Sequence, residues 1–103
     1  LWRGINGAEA VQLVISMYQE GKEIHWSSFS SGSPQRDIAE GFASASGLLF
    51  KIQVRECARD IRTISAMPSE DERLILPNTK FVVTKAAHRA PDGFWEVHMI
   101  EAR

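Results

Sequence analysis

Apolar and polar positions alternate with two different periods along the chain, and each period predicts a different kind of element. Residues 1–5, which include the apolar Leu1, Trp2 and Ile5, predict a short strand. Apolar residues at the i, i+3, i+4, i+7 spacing of an amphipathic helix come next, namely Val11, Val14, Ile15 and Tyr18. We expect Asn6 to cap this helix in a capping box with Glu9, and Gly21 to end it.

The stretch after this helix predicts a second strand and a second helix. Residues 25–31 carry aromatic side chains at a spacing compatible with one short strand. Ser33 followed by Pro34 is a typical helix start, with serine as N-cap and proline in the first turn. We expect this helix to end at Gly47. Its buried stripe would consist of Ile38, Ala39 and Phe42.

From residue 49 onward the period becomes two, which predicts half-buried strands. Strands are expected over residues 49–55, 73–77, 80–86 and 95–99, whereas residues 56–67 show no regular period. Residues 90–93 have the composition of a turn between the last two strands. The predicted class is α+β, with an antiparallel-rich sheet and the helices gathered early in the chain.

Length, composition and charge indicate one ordinary domain. The chain has 103 residues, of which 44% are hydrophobic and 24% are charged. A formal net charge of -1 and scattered basic residues argue against a nucleic-acid partner. No apolar stretch approaches membrane-spanning length and no signal-peptide pattern opens the chain, so we expect no membrane segment. Because the sequence starts directly with a strand, we expect a trimmed domain or part of a larger chain.

Cysteine and histidine usage predicts neither a disulfide nor a metal site. Cys57 is the one cysteine of the sequence, so it cannot form an internal disulfide, and we expect it to be a small buried hydrophobic residue. His25, His88 and His98 lie far apart in the sequence with no paired ligand nearby, so no metal is expected.

Three short motifs occur in a fixed order. Arg3-Gly4 ends the first strand, Ser31-Gly32-Ser33 follows an aromatic stretch, and Glu70-Asp71-Glu72 precedes an aliphatic strand. Together they resemble the motifs of the NAD-dependent mono-ADP-ribosyltransferases of the Arg-Ser-Glu class, which include bacterial arginine-modifying toxins and vertebrate ecto-enzymes. The resemblance covers nearly the whole chain. It implies an ADP-ribosyltransferase-like split β-sandwich, a single catalytic domain over residues 1–103, and NAD in the central cleft.

The acidic motif would supply the catalytic carboxylate. Nicotinamide leaves the sugar of NAD through an oxocarbenium-like centre, which a nearby carboxylate stabilises. By the resemblance Glu72 is that residue, and Glu70 selects arginine as the acceptor. If the backbone is extended, Glu70 and Glu72 lie on one face and Asp71 on the other. The alternative is that all three are solvated loop carboxylates. Residues 64–68 are similar to the substrate-recognition loop of the family.

Two further residues of the resemblance would bind NAD. Arg3 matches the arginine that contacts phosphate, for which a forked and permanently charged guanidinium is suited. Gly4 would allow the backbone to approach the nicotinamide carboxamide closely. Phe42 either covers the nicotinamide or packs in the core, and the sequence leaves both open.

The serine motif departs from the family pattern at its centre. Ser31 matches the serine that braces the catalytic carboxylate and helps to hold the nicotinamide ribose, and Ser33 matches the last serine. Gly32 stands where the family has threonine. Ser33 is equally well explained as the N-cap of the second helix.

The predicted function is transfer of ADP-ribose from NAD to arginine side chains of a target protein, with release of nicotinamide and without a metal. One alternative is an NAD glycohydrolase that uses Arg3, Ser31 and Glu72. Another is a catalytically silent NAD-binding or interaction module of the same fold. The lack of cysteine pairs favours a secreted toxin or effector, or an intracellular enzyme, over an ecto-enzyme.

Overall fold

Two β-sheets and two α-helices make up the part of the chain that the computed structural model describes, residues 1–44, 47–60 and 72–102. In chain order the elements are β1 (Trp2–Ile5), α1 (Ala8–Met17), β2 (Glu23–Trp26), β3 (Ser30–Gly32), α2 (Arg36–Ala43), β4 (Leu48–Gln53), β5 (Ala58–Asp60), β6 (Arg73–Ile75), β7 (Thr79–Arg89) and β8 (Trp95–Glu101).

The strands form a five-stranded sheet in the order β1-β4-β8-β7-β2 and a three-stranded sheet in the order β3-β6-β5. Every pairing within these sheets is antiparallel except that of β4 with β8. The predicted α+β class, with split antiparallel-rich sheets and early helices, is confirmed.

Strand β4 lies inside the five-stranded sheet, and its first three residues are covered on both faces. Leu48 and Phe50 belong to the main core, whereas Leu49 packs on the opposite face against Ala39 and Ala43 of α2. Leu48, Leu49 and Phe50 are therefore buried in succession. From Phe50 onward the predicted alternation is confirmed, because Ile52 is buried whereas Lys51 and Gln53 are exposed.

Helix α1 buries the predicted face but not with the predicted caps. Its N-cap is Gly7, without a side-chain cap, because Asn6 instead donates a hydrogen bond from Nδ2 to the backbone oxygen of Phe42 at 3.0 Å. The helix ends at Met17, and Gly21 lies in a later turn at a φ of 85°. The capping box and the Gly21 stop are therefore wrong. The apolar face packs into the core as predicted, through Val11, Val14, Ile15 and Tyr18.

The predicted single strand over residues 25–31 is wrong, because the chain divides there between the two sheets. Strand β2 pairs with β7, and β3 pairs with β6. Ser33 does not cap α2 either, since the N-cap is Gln35 and carries no side-chain cap. Ser33 Oγ accepts a hydrogen bond from the backbone N–H of Gln35 at 3.1 Å, which forms a local turn before the helix.

Most of the later strands match the predictions. Strands β6, β7 and β8 confirm the elements expected at 73–77, 80–86 and 95–99, although β7 is longer than predicted. Phe81 and Val83 are buried on the core face as expected. Strand β5 was not predicted, since its short segment carries little apolar periodicity.

The sequence predicts that the histidines lie apart, but two of them lie close together in the structure. The rings of His88 on β7 and His98 on β8 are 5.1 Å apart between centroids, and His98 also contacts Glu96. The expectation that these histidines have no ligand neighbour is therefore wrong. Cys57 is buried, as predicted.

Among the described residues, we find no helix with the length and apolar character needed to cross a membrane.

Candidate functional site

The two sheets meet where β1 passes β3, and the candidate site lies at this junction. Trp2 and Ser33 exchange two backbone hydrogen bonds, of 2.7 and 2.9 Å. One residue further along β1, Arg3 donates from Nη1 to the backbone oxygen of Ser31 at 2.9 Å. The first two predicted motifs are thus joined by direct contacts.

The third motif reaches the same place through strand pairing. In the antiparallel pair of β3 and β6, Gly32 is the register partner of Arg73. Continuing this register by one residue places Glu72 opposite Ser33. Glu72 is partly buried and lines the same cavity as Arg3.

This first cavity has a volume of about 190 Å³. Pockets that enclose a whole drug-sized ligand are typically about 300–1,000 Å³, so the first cavity suits one end of a dinucleotide. All seven described residues that the sequence assigns to the site or its serine motif line it, together with three others. The lining residues are Trp2, Arg3, Gly4, Ser31, Gly32, Ser33, Ile38, Ala39, Phe42 and Glu72.

Arg3 stands between the first cavity and a second one of about 370 Å³. Its guanidinium lies 5.8 Å from the ring centroid of Trp26, whose Nε1 donates to the hydroxyl of Tyr18 at 2.9 Å. Burial lowers the pKa of Arg3 from its ordinary value. An arginine side chain nevertheless keeps its charge in proteins, so Arg3 presents a partly desolvated cation to both cavities.

Gly4 is needed for the packing of α2 as well as for the cavity surface. A Cβ atom at this position would lie 2.0 Å from the backbone oxygen of Ala39 and 2.9 Å from the backbone nitrogen of Ala43. Only a glycine lets the helix cross β1 this closely. The packing of the helix is a reason for the glycine that the sequence did not indicate.

Gly32 has a comparable explanation. A Cβ atom there would lie 3.0 Å from the backbone oxygen of Trp2, closer than most side chains tolerate. The departure from threonine at the centre of the serine motif therefore accompanies a close approach of β1 and β3. Ser33 beside it is buried, and its backbone forms the bridge to Trp2.

Phe42 is not part of the core. Its side chain is 56% exposed and lines the first cavity, whereas Ala39 supplies the buried face of α2. Of the two alternatives that the sequence left open, the structure excludes core packing. Trp2 and Ile38 also line the cavity and were not predicted to do so. The position of Trp2 next to Arg3-Gly4 was the available signal.

Glu70, to which the resemblance assigns acceptor selection, its neighbour Asp71 and the predicted recognition loop at 64–68 lie outside the described residues.

A charged network holds α2, the wall of the first cavity, against the turn between β7 and β8. Arg36 at the start of α2 binds Asp92 at 2.7 Å and Glu96 at 2.8 Å, and it also pairs with Glu40. Hydrogen bonding to Asp92 raises the pKa of Arg36, and the same contact lowers the pKa of Asp92. The Arg36 guanidinium carbon lies 5.2 Å from the ring centroid of Trp2, and this contact connects the network to β1.

Comparison with known proteins shows that the chain is similar to NAD-dependent enzymes. A sequence profile of the family described as "NAD:arginine ADP-ribosyltransferase" matches residues 1–102. The erythroblast NAD(P)(+)--arginine ADP-ribosyltransferase of chicken, Gallus gallus, is 32% identical over 95 residues, which covers 91% of this chain.

Solved structures show the same fold. The Vis toxin of Vibrio splendidus, crystallised with agmatine, aligns over 99% of this chain with a TM-score of 0.75 and 19% identity. Exoenzyme S of Pseudomonas aeruginosa, in complex with human 14-3-3 protein beta and bound to carba-NAD, aligns over 98% with a TM-score of 0.72 and 20% identity. The chain spans 28% of the chicken enzyme, 48% of the Vis chain and 46% of the exoenzyme S chain.

Proposed function

Because the chain belongs to the NAD:arginine ADP-ribosyltransferase family, we propose that it binds NAD at the first cavity and transfers ADP-ribose to an arginine of a target protein. The observation that carries this proposal is the convergence of Arg3, Ser31 and Glu72 on one cavity from three separate segments. These are the residues that the resemblance assigns to phosphate binding, to bracing and to catalysis.

The parts of the dinucleotide contact different residues of the two cavities. The nicotinamide end lies in the first cavity, against the Gly4 backbone and under the exposed ring of Phe42. The phosphates lie at Arg3, whose guanidinium can donate to two oxygens at once. Since Arg3 also borders the second cavity, the adenosine half can extend toward Tyr18 and Trp26.

Glu72 acts at the nicotinamide ribose. Its carboxylate accepts a hydrogen bond from the ribose 2′-hydroxyl and stabilises positive charge at the anomeric carbon as the bond to nicotinamide breaks. Nicotinamide leaves with the bonding electron pair. A guanidinium nitrogen of the acceptor then bonds to the anomeric carbon and loses a proton. Ser31 braces the carboxylate from β3.

The acceptor is an arginine of a protein. Glu70 would hold its guanidinium by a charge-assisted hydrogen bond, the interaction that suits a carboxylate and an arginine. The agmatine bound to the Vis toxin, an arginine analogue, and the name of the chicken relative support this choice.

The test measures nicotinamide release and labelling of agmatine by the purified protein with NAD that carries a label on its adenosine half. We expect both products from the wild type and a loss of at least a hundredfold in the Glu72→Gln variant. The matched control is Glu23→Gln, which removes an exposed carboxylate of β2 and should leave both rates unchanged.

Each outcome decides between the alternatives. Nicotinamide release without labelled agmatine would contradict the transfer step and favour a glycohydrolase. Unchanged rates in Glu72→Gln, with a circular dichroism spectrum like that of the wild type, would contradict the role of Glu72. An absence of both products from a folded wild-type protein would contradict the proposed function and favour the silent module.

A further inference from the structure

The hairpin of β7 and β8 brings two histidines and a carboxylate together away from the first cavity. His88 is the register partner of Glu96 across the turn, which closes with a hydrogen bond from the Ala90 N–H to the Phe94 oxygen. His98 lies two residues beyond Glu96 on the same strand and therefore on the same face of the sheet.

The distances within this trio match a shared ligand. His98 Nε2 and Glu96 Oε1 are 3.0 Å apart, and the rings of His88 and His98 meet edge to face at 78°. One ligand atom from each of the three residues lies within 4.8 Å of the other two. Zinc binds nitrogen and oxygen at about 2.0–2.2 Å, so donors around one ion are separated by roughly 3–3.5 Å. A small rotation of one histidine ring would bring the three donor atoms from within 4.8 Å of one another to this separation.

Neighbouring groups already orient two of the three donors. His88 Nδ1 lies 2.9 Å from the backbone oxygen of Ala86, to which a protonated Nδ1 donates, and this leaves the Nε2 lone pair for a metal. Arg36 holds the second carboxylate oxygen of Glu96 at 2.8 Å and so turns Oε1 toward His98. Such outer contacts are typical of metal-binding histidines and carboxylates.

Charge around the trio favours a cation. Glu96 is 8% exposed, so its carboxylate is little screened by water. The nearby Arg36 is shared among three carboxylates, those of Glu40, Asp92 and Glu96. Lys51 and Lys85 are the register partners of His98 on the adjacent strands, and both are exposed. The Lys51 ammonium lies 5.5 Å from the ring centroid of Trp2, and the Lys85 ammonium can extend into solvent.

We propose that His88, Glu96 and His98 form a binding site for one divalent transition-metal ion of the zinc class, with water as the fourth ligand. Two neutral imidazoles and one carboxylate are a donor set that suits zinc, and the ion would replace the proton shared by His98 and Glu96. The site would bind zinc whether or not the chain transfers ADP-ribose.

Isothermal titration calorimetry of the metal-free protein with Zn²⁺ alone tests this site. We expect one ion per chain in the wild type and at least tenfold weaker binding in His88→Ala. The control is His25→Ala, which removes an exposed histidine from β2 and should bind like the wild type. Glu96 itself is not replaced, because it is buried and paired with Arg36. The second test variant is His88→Gln, which preserves the side-chain volume and leaves that pair intact.

Co²⁺ alone, as a spectroscopic substitute, reports the geometry. A four-coordinate site predicts intense visible absorption that is present in the wild type and in His25→Ala and absent in both His88 variants. Circular dichroism establishes that each variant is folded. The proposal is overturned if the folded wild type binds no Zn²⁺, if both His88 variants bind it as tightly as the wild type, or if His25→Ala loses it.

Discussion

Arg3 donates a hydrogen bond from Nη1 to the backbone oxygen of Ser31 at 2.9 Å, and this contact links the five-stranded sheet to the three-stranded sheet. The bond fixes the guanidinium at the edge of the first cavity. It also orients β3, whose pairing with β6 places Glu72. One side chain therefore serves both the scaffold and the proposed phosphate site.

Replacing this arginine by lysine should weaken both functions. Arg3→Lys keeps the charge but loses the planar fork that reaches the Ser31 carbonyl while still presenting donors to a ligand. We expect a loss of about 1.5–3 kcal/mol in the free energy of unfolding, measured by urea denaturation, and at least tenfold slower NAD turnover. Arg59→Lys, at an exposed position, is the matched control. Equal stability and turnover in the two variants would refute this dual role.

Adding one methyl group beneath α2 should disrupt its packing. In Gly4→Ala the new Cβ would lie 2.0 Å from a backbone oxygen of the helix, and backbone cannot move aside cheaply. We expect a destabilisation of about 3 kcal/mol. Gly41→Ala places the same methyl group on α2 in open space and should stabilise the protein by about 0.5–1 kcal/mol. Thermal unfolding of both variants checks the difference, and a shift of the same sign in both would be inconsistent with it.

The acid stability of the protein should depend on Glu101. Its Oε1 accepts hydrogen bonds from the backbone N–H groups of Arg55, Glu56 and Cys57, at 2.6, 3.0 and 3.1 Å. Burial alone would raise the pKa of Glu101, but these hydrogen bonds outweigh it and leave the pKa below its ordinary value.

Because the folded-state pKa is lowered, Glu101 contributes fully to the free energy of unfolding above the ordinary glutamate pKa of about 4.3. This contribution is lost as the pH falls below that value. Glu101→Gln should therefore be less stable than the wild type by about 1.5 kcal/mol at neutral pH, with a smaller difference at acidic pH. Urea denaturation over the range from about pH 3 to pH 7 checks this. A difference that does not change with pH would contradict it.

Cys57 should be chemically inert in the folded protein. Burial, together with the hydrogen bond and negative charge of Glu101, raises the pKa of the thiol to about 12. The thiolate is the reactive species, so alkylation by iodoacetamide at pH 8 should be at least a hundredfold slower than in urea-unfolded protein. Mass spectrometry of the alkylated chain measures both rates. Similar rates in the two states would show that the thiol is accessible.

Local patterns predicted the elements whose burial is one-sided. The face of α1 and the alternation around Phe81 and Val83 follow from periodicity, because each packs on a single core. The pattern failed at Leu49, which is buried by α2 on the far face of the sheet, and at residues 25–31, where the chain changes sheets. Those outcomes depend on what lies opposite, which a local pattern does not contain.

The sequence named residues that come together at the first cavity, but not the contacts that support them. Arg3, Ser31 and Glu72 were found by their resemblance to a family, whereas the crossing of α2 over Gly4 and the anchoring of Arg36 needed coordinates. The trio at His88 could have been inferred from the predicted turn at 90–93, since folding the chain there sets residue 88 opposite residue 96.

We propose that the first cavity holds the nicotinamide end of NAD beside Glu72. A crystal structure of the protein with a non-hydrolysable NAD analogue tests it most directly. We predict the nicotinamide between Gly4 and Phe42, and the ribose 2′-hydroxyl within hydrogen-bond distance, about 2.6–3.2 Å, of the Glu72 carboxylate. An analogue bound elsewhere, or a ribose beyond the reach of Glu72, would contradict the account.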